Sequence, residues 1–315
     1  QLARDVAATK TLLQSTANPS ITVIPPQLCG GTLSTDIPNN SFGYGRVDAL
    51  AALNAAPPPT LLGDIATRLK VETGDNALIG GFILTGTVDK KVVVRALGPS
   101  LPLADKLANP TLELRDSAGT LINQNDDWQS SPDKQAISDS GLAPADDRES
   151  AVIATLPAAG NGYTAVVRGV GESVGTAVVE VYDVDHAVDS RLGNIGTRGF
   201  VQTGDNILIA GTIVLGESPQ KVIVRAIGPS LNLNGKLADP TLELRDGNGE
   251  LIRANDNWRT GGQESEIMQT GLSPSEDAES ALIETLPANE AHYTAIVRGA
   301  SDDVGIAVVE IYALP

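Results

Sequence analysis

The 315-residue sequence holds one cysteine, Cys29, which excludes an intrachain disulfide and any cysteine-based metal site. Basic residues are also few. Against 22 Lys and Arg stand 39 Asp and Glu, a formal net charge of -17 at pH 7, so nucleic acid and anionic membrane surfaces are repelled. Aromatic residues make up 3% of the chain, leaving little material for the exposed ring platforms on which sugars stack. No apolar run approaches the ~20 residues that cross a bilayer as a helix. No basic, apolar and small-residue leader opens the chain either. Gln1 begins in helix-like sequence, and the chain is expected to be a piece whose own N-terminus lies upstream. His186 and His292 are the only histidines, and both are read as surface residues.

The sequence is rich in repetition. Asn109-Pro-Thr-Leu-Glu-Leu-Arg-Asp116 returns as Asp239-Pro-Thr-Leu-Glu-Leu-Arg-Asp246, and the surrounding landmarks recur at the same 130-residue offset. Arg95 answers to Arg225, Trp128 to Trp258 and Tyr182 to Tyr312. The match needs no gap, and roughly half the positions are identical, as in one domain written twice.

Within each copy, short runs of Val, Ile, Leu and Thr alternate with Gly, Pro, Asn and Asp breaks. In the first copy this predicts strands at Leu61 to Val71, Ala77 to Thr85, Lys91 to Leu97, Thr111 to Arg115, Thr120 to Gln124, Ser150 to Leu156, Tyr163 to Arg168 and Thr176 to Val184. Thr111-Leu-Glu-Leu-Arg115 turns Leu112 and Leu114 to a core and its polar residues outward. Asp116-Ser-Ala-Gly119 closes a hairpin, with Gly at the position of positive φ. Residues 131–140 are expected to be a loop with one helical turn. The fold class read from this spacing is mainly β: two tandem antiparallel β-sandwiches, jelly-roll-like, preceded by a short partly helical segment. The expected boundaries are 1–56 for that segment, 57–60 for a Pro linker, 61–184 for the first sandwich, 185–191 for a second linker and 192–315 for the second sandwich.

The opening segment pairs Lys10-Thr-Leu-Leu-Gln-Ser-Thr-Ala17 with Phe42-Gly-Tyr-Gly-Arg-Val-Asp-Ala-Leu-Ala-Ala-Leu-Asn-Ala55 across a loop rich in Pro, Gly, Ser and Asn. It resembles the end of a subtilisin-like serine peptidase domain, a subtilase. The resemblance covers about 55 residues, and that family's catalytic Asp, His and Ser lie upstream of such a tail, so no catalytic residue carries over here. Gly31-Thr-Leu-Ser34 falls between the helices with an inserted Leu and is not read as the nucleophile. Two short helices with few large apolar residues cannot form a core of their own. They are expected to pack on an absent body or on the repeats.

Asn125-Asp-Asp-Trp128 and Asn255-Asp-Asn-Trp258 gather the oxygens that suit a hard cation, and acids at Asp146, Asp147, Glu149, Glu276, Asp277 and Glu279 follow them. A structural Ca²⁺ is one reading, with Asp126, Asp127, Glu149, Asp256, Asn257 and Glu279 as ligands. The other is an Asx turn that caps local backbone while the Trp seals the sandwich edge. Pro110-Thr-Leu-Glu-Leu-Arg-Asp, Asn-Asp-Asp-Trp, Glu149-Ser-Ala-Val-Ile-Ala-Thr-Leu-Pro157 and Tyr163-Thr-Ala-Val-Val-Arg-Gly169 look like bacterial pre-peptidase C-terminal β-sandwich domains. That resemblance implies non-catalytic, often calcium-associated appendages of secreted hydrolases. Arg95, Glu113, Arg115, Arg168 and Glu180 are expected to form ion pairs on a solvated sheet face.

Together these readings describe the non-catalytic C-terminal region of a secreted subtilase-like protein, extracellular or at the cell surface, serving attachment, stability or export. Its expected partners are an upstream peptidase domain, an extracellular surface or polymer, or other copies of itself. The alternative is a self-associating structural protein built by strand or sandwich stacking.

Overall fold

The computed structural model describes residues 6–55, 61–185, 188–288 and 292–314. The chain forms two compact units, Gln1–Thr60 and Leu61–Pro315. The Pro linker expected at 57–60 and His186 lie outside the described residues.

The first unit consists of helix α1 (Val6–Ser15), a two-residue hairpin of β1 (Leu28–Cys29) and β2 (Thr32–Leu33), and helix α2 (Ala49–Ala55). Asp48 starts α2 by accepting the Ala51 N–H at 2.9 Å, satisfying one orphan donor of the first turn. Asn18 and Arg46 exchange backbone hydrogen bonds of 2.8 and 3.0 Å, closing the loop between the helices. Apolar side chains remain in solvent: Val6 is 81% exposed, and Leu28 and Leu50 are each 67% exposed.

The second unit is built from sixteen strands and two short helices. The first repeat supplies β3 (Leu61–Val71), β4 (Leu78–Gly86), β5 (Lys90–Leu97), β6 (Pro110–Asp116), β7 (Leu121–Asn125), α3 (Lys134–Asp139), β8 (Ser150–Leu156), β9 (Asn161–Gly169) and β10 (Gly175–Asp183). The second supplies β11 (Ser190–Val201), β12 (Leu208–Leu215), β13 (Gln220–Ile227), β14 (Pro240–Arg245), β15 (Leu251–Asn255), α4 (Glu264–Gln269), β16 (Ser280–Leu286), β17 (His292–Gly299) and β18 (Gly305–Ala313). Leu112 and Leu114 are fully buried and Gly119 has φ +82°, as the alternation and the turn chemistry require.

The repeats do not pair as separate sandwiches. Antiparallel pairing runs β8-β5-β10-β3-β12-β17-β14-β15 through one sheet. It runs β16-β13-β18-β11-β4-β9-β6-β7 through the other. Each sheet therefore takes four strands from each repeat, joined where β3 meets β12 and β11 meets β4. A bulge admits each junction. Gly63 is the extra residue between Leu62 and Asp64, and Gly193 is its counterpart. A Cβ on Gly63 would stand 2.3 Å from Leu215 Cδ1, and one on Gly193 would stand 2.7 Å from Thr85 Cγ2.

The junction is a pseudo-two-fold axis. Leu62 pairs with Leu192 across the sheet corner. Thr67 Oγ1 lies 2.6 Å from Thr197 Oγ1, both fully buried, and Gln202 Nε2 donates to Glu72 Oε1 at 2.9 Å. Each contact joins a residue to its own counterpart, which only a two-fold relation allows. One hydrophobic cluster accordingly spans both repeats, with Phe82, Leu112 and Leu114 in the same core as Leu208, Leu242 and Leu244. The repeat boundary at 185–191 divides the sequence, while the compact unit continues through it, because β3 and β11 each close the other repeat's sheet.

Candidate functional site

The Asn-Asp-Asp-Trp loops pin strand ends. Asn125 Nδ2 donates to the Asp127 carbonyl at 3.1 Å, and its Oδ1 accepts the Ala151 N–H at 3.0 Å. The Trp128 N–H donates to the Glu149 carbonyl at 2.8 Å, which seats the indole against Val93, Ile137 and Ile153 beneath α3. Trp258 sits in the equivalent place with Ile267 and Ile283. Glu149 and Glu279 are fully buried, and backbone donors surround their carboxylates. Glu149 Oε1 accepts from Gly98 N–H, Ser100 N–H and Ser100 Oγ–H at 3.0, 2.9 and 2.6 Å, and Oε2 from Asp146 N–H at 3.3 Å. Glu279 is held likewise by Gly228, Ser230, Ser275 and Glu276.

Two of the six expected cation ligands are thus engaged by backbone and hydroxyl donors. Glu149 and Glu279 are structural acceptors that lock the Gly98-Pro-Ser100 and Gly228-Pro-Ser230 turns; Asp126 and Asp256 are exposed, whereas Asp127 and Asn257 are half-buried, with Asp127 Oδ1 shielded from solvent and without a hydrogen-bond partner among the described residues. Partial burial and then the neighbouring Asp127 charge raise the Asp126 carboxyl above its usual range. Among the described residues, no three His, Cys, Asp or Glu side chains converge to hold a metal ion.

The charged strand positions pair as their spacing suggested. Arg95 meets Glu180 at 2.5 Å, Arg115 meets Glu113 at 2.9 Å and Arg168 approaches Glu113 at 3.8 Å. Arg225 with Glu310, and Arg245 and Arg298 with Glu243, repeat the pattern. The Glu113 cluster is partly exposed and contributes little stability per pair, about 0 to 1 kcal/mol. Ser34 of the tempting Gly31-Thr-Leu-Ser34 segment is buried and accepts the Gln27 N–H at 3.0 Å.

A residue that sequence reasoning passed over defines the most distinctive site. Asp64 lies next to the β3 bulge and is 7% exposed. It pairs in register with Tyr182 on β10 and Ile213 on β12, and Ile213 in turn pairs with His292 on β17. The row therefore crosses from one repeat into the other on a single sheet face. Asp64 Oδ1 accepts the Ile213 N–H at 2.9 Å. Burial raises the Asp64 carboxyl to about 6 despite that bond; Glu180 adds to the rise, while His292 and Arg95 oppose it. The Tyr182 hydroxyl is pushed up to about 12 by burial and by Glu180.

Asp64 lines a cleft of about 640 Å³ on the outer face of the sheet. Ala136, Leu142, Ile153, Tyr182, Ile213 and Leu215 form its apolar walls, and Lys91, Asp139, Ser140 and Asp183 are its other polar groups. Two nearby cations are already engaged. Arg95 binds Glu180 and donates to the Leu142 carbonyl at 2.9 Å, with its guanidinium over the Tyr182 ring. Lys90 is fully buried 2.9 Å from Asp183 and donates to the Asp185 carbonyl at 2.6 Å.

The second repeat offers a built-in comparison. Asn194 replaces Asp64, Gln269 replaces Asp139, Ala313 replaces Asp183 and Gly162 replaces His292. Gln220 stands for Lys90 and donates to the Leu314 carbonyl at 2.8 Å, so a neutral side chain performs the buried lysine's bridging role. Glu266 replaces Ala136 and pairs with Lys221 at 2.6 Å. The same backbone thus carries an acidic cleft on one side of the pseudo-dyad and a largely neutral one on the other. The sequence-level signal of this site was a set of mismatches between the repeats, Asp64/Asn194, Asp139/Gln269 and Asp183/Ala313.

No protein-family model and no curated protein matches the sequence. Among solved structures, the chain is similar to an isomalto-dextranase from Arthrobacter globiformis T6 complexed with panose, with a TM-score of 0.20, 10% identity and coverage of 78% of this chain and 36% of that one. A DUF4785 family protein from Legionella pneumophila gives a TM-score of 0.22, 12% identity and coverage of 78% and 63%. PNGF-II gives 0.22, 8%, and 82% and 62%. The chain spans less than two thirds of each of these proteins, and likenesses this weak assign neither an activity nor a ligand.

Proposed function

We propose that this chain is the non-catalytic C-terminal region of a secreted subtilase-like protein and that its β-sandwich unit is a binding platform serving attachment, stability or export. The observation that carries the reading is the asymmetry of the two related clefts. Related architecture carries a buried acid in a cleft of about 640 Å³ on one side, and on the other a smaller cleft of about 380 Å³ in which Asn194 stands in its place. A cleft of about 640 Å³ falls in the size range of ligand sites. The exposed Val6, Leu28 and Leu50 suit a first unit that completes its core on an upstream body. Fragment screening by amide-resolved NMR on the full chain tests the platform. Perturbations should gather at Gly63, Asp64, Ser140 and Ile213. An even spread, or preference for the Asn194 side, refutes the site. Casein hydrolysis by this chain, abolished by a serine-directed inhibitor, would refute the non-catalytic assignment.

One observation favours the second reading, self-association. The opening strand of each repeat already pairs with the other repeat, so the same exchange between chains would build dimers or longer assemblies. Light scattering over a range of concentrations decides it, and a strict monomer argues against assembly.

A further inference from the structure

We propose that the Asp64 cleft receives a primary alkylammonium group, its aliphatic stem against the walls and its charge at the Asp64 carboxylate. The inference rests on the cleft being a ligand site and goes on to name the ligand's chemistry.

Three features of the cleft carry it. A carboxylate that is 7% exposed is costly to desolvate unless a cation or several donors meet it, and among the described residues one donor does, the Ile213 N–H. The charged groups acting on Asp64 are Glu180 from β10, Arg95 from β5 and His292 from β17. Arg95 is committed to Glu180, and His292 stands exposed at the start of β17. Lys91 and Asp139 also line the cleft, no ion pair within 4 Å joins Lys91 to Asp64 among the described residues, and Lys90 is bound to Asp183. Asp64 therefore lacks a counter-ion of its own. Second, the walls are aliphatic with one aromatic ring, the surface along which a lysine-like stem lies while its head reaches a polar group. Third, the second repeat keeps a smaller cleft of about 380 Å³ beside Asn194 and Tyr312 without the acid. Glu266 occupies the position of Ala136 and neutralises Lys221, and Asn194 removes the acid. Asp64 and Asp139 outnumber Lys91 in the lining, Asp183 being paired with Lys90, so the cleft's charge favours an ammonium over a carboxylate.

The test titrates the full chain with n-hexylamine, hexan-1-ol and hexanoate near neutral pH, read by calorimetry and amide shifts. Hexylamine should bind at the Asp64 side at least about tenfold more tightly than hexanol, the fold-change of a charge-assisted hydrogen bond. Hexanoate should bind more weakly than either. Asp64→Asn, whose side chain the fold already accepts at Asn194, should abolish the preference for amine over alcohol. Binding should also weaken as pH falls through about 6, where Asp64 takes up a proton. Nα-acetyl-lysine methylamide separates the sources: affinity matching hexylamine identifies a lysine side chain of a protein partner, and markedly weaker affinity identifies a free amine. Equal binding of amine and alcohol in the cleft, or unchanged amine binding by Asp64→Asn, overturns the ammonium assignment and leaves the site. Absence of any perturbation there by all three probes overturns the site as well.

Discussion

Replacing Asp64 with Asn is expected to make the protein more stable above about pH 6 and slightly less stable in strong acid. Burial pushes the Asp64 carboxyl up to about 6 from the ordinary aspartate value of 3.8. Between those two pH values the native chain holds a proton that the unfolded chain has released, so stability falls as pH rises through that window and stays lower above it. A rise from 3.8 to about 6 amounts to about 3 kcal/mol of destabilisation at neutral pH. Asn removes the buried charge together with its repulsion from Glu180; its counterpart Asn194 leaves Oδ1 buried without a hydrogen-bond partner, so loss of the Ile213 N–H bond offsets about 1 kcal/mol of the gain. Urea unfolding of both proteins across pH 3 to 8 measures the difference. It should favour the parent by about 1 kcal/mol at the acid end and the variant by about 2 kcal/mol near pH 8. Parallel profiles, or a variant less stable than the parent at pH 8, would show that the folded environment satisfies an ionised Asp64.

The buried Lys90–Asp183 pair should behave as its counterpart suggests. Lys90→Met alone strands a buried carboxylate and should cost about 3 to 5 kcal/mol. Lys90→Gln with Asp183→Ala, which copies Gln220 and Ala313, should recover most of that in equilibrium denaturation; a double variant as unstable as the single one refutes the substitution logic. Glu149→Ala leaves four donors without their acceptor and should cost on the order of 4 kcal/mol. A loss under about 1 kcal/mol would mean that water replaces the carboxylate. Gly199→Ala would set a Cβ 1.8 Å from Leu69 Cδ2 where β11 approaches β3, and should lower stability by about 1 to 3 kcal/mol, measured by thermal melting. A protease site inserted between Asp185 and Ser190 should, once cut, leave two pieces that co-elute without denaturant. Separation would refute the shared sheets.

Strand positions were legible because each strand has a buried and an exposed face, and period-two alternation writes those faces directly into the chain. The expected Leu61 to Val71 and Ser150 to Leu156 match β3 and β8 to the residue, and the expected helical turn is α3. The ion pairs of Arg95, Arg115 and Arg168 followed from alternation in the same way. The role of Glu149 was less open to view. An acid near Asp126 and Asp127 reads as a cation ligand until the Gly98-Pro-Ser100 turn is seen folded around it. Asp64 was obscured because its isolated position predicts an outward polar side chain on a strand. The walls that bury it come from α3, β8 and the other repeat's β12.

By itself, the sequence determined the mainly β class, the duplication, the strand faces and the two turns that close on Gly119 and Gly249, since each depends on spacing along a few residues. Tertiary structure alone decided which strands meet. Alternation says which face of β3 is buried, but β4 and β12 carry the same pattern and serve equally well as neighbours. The exchange of β3 and β11 about the pseudo-dyad selects between them. It also creates the Asp64 cleft, because that cleft needs Asp64 from one repeat and Ile213 and Leu215 from the other.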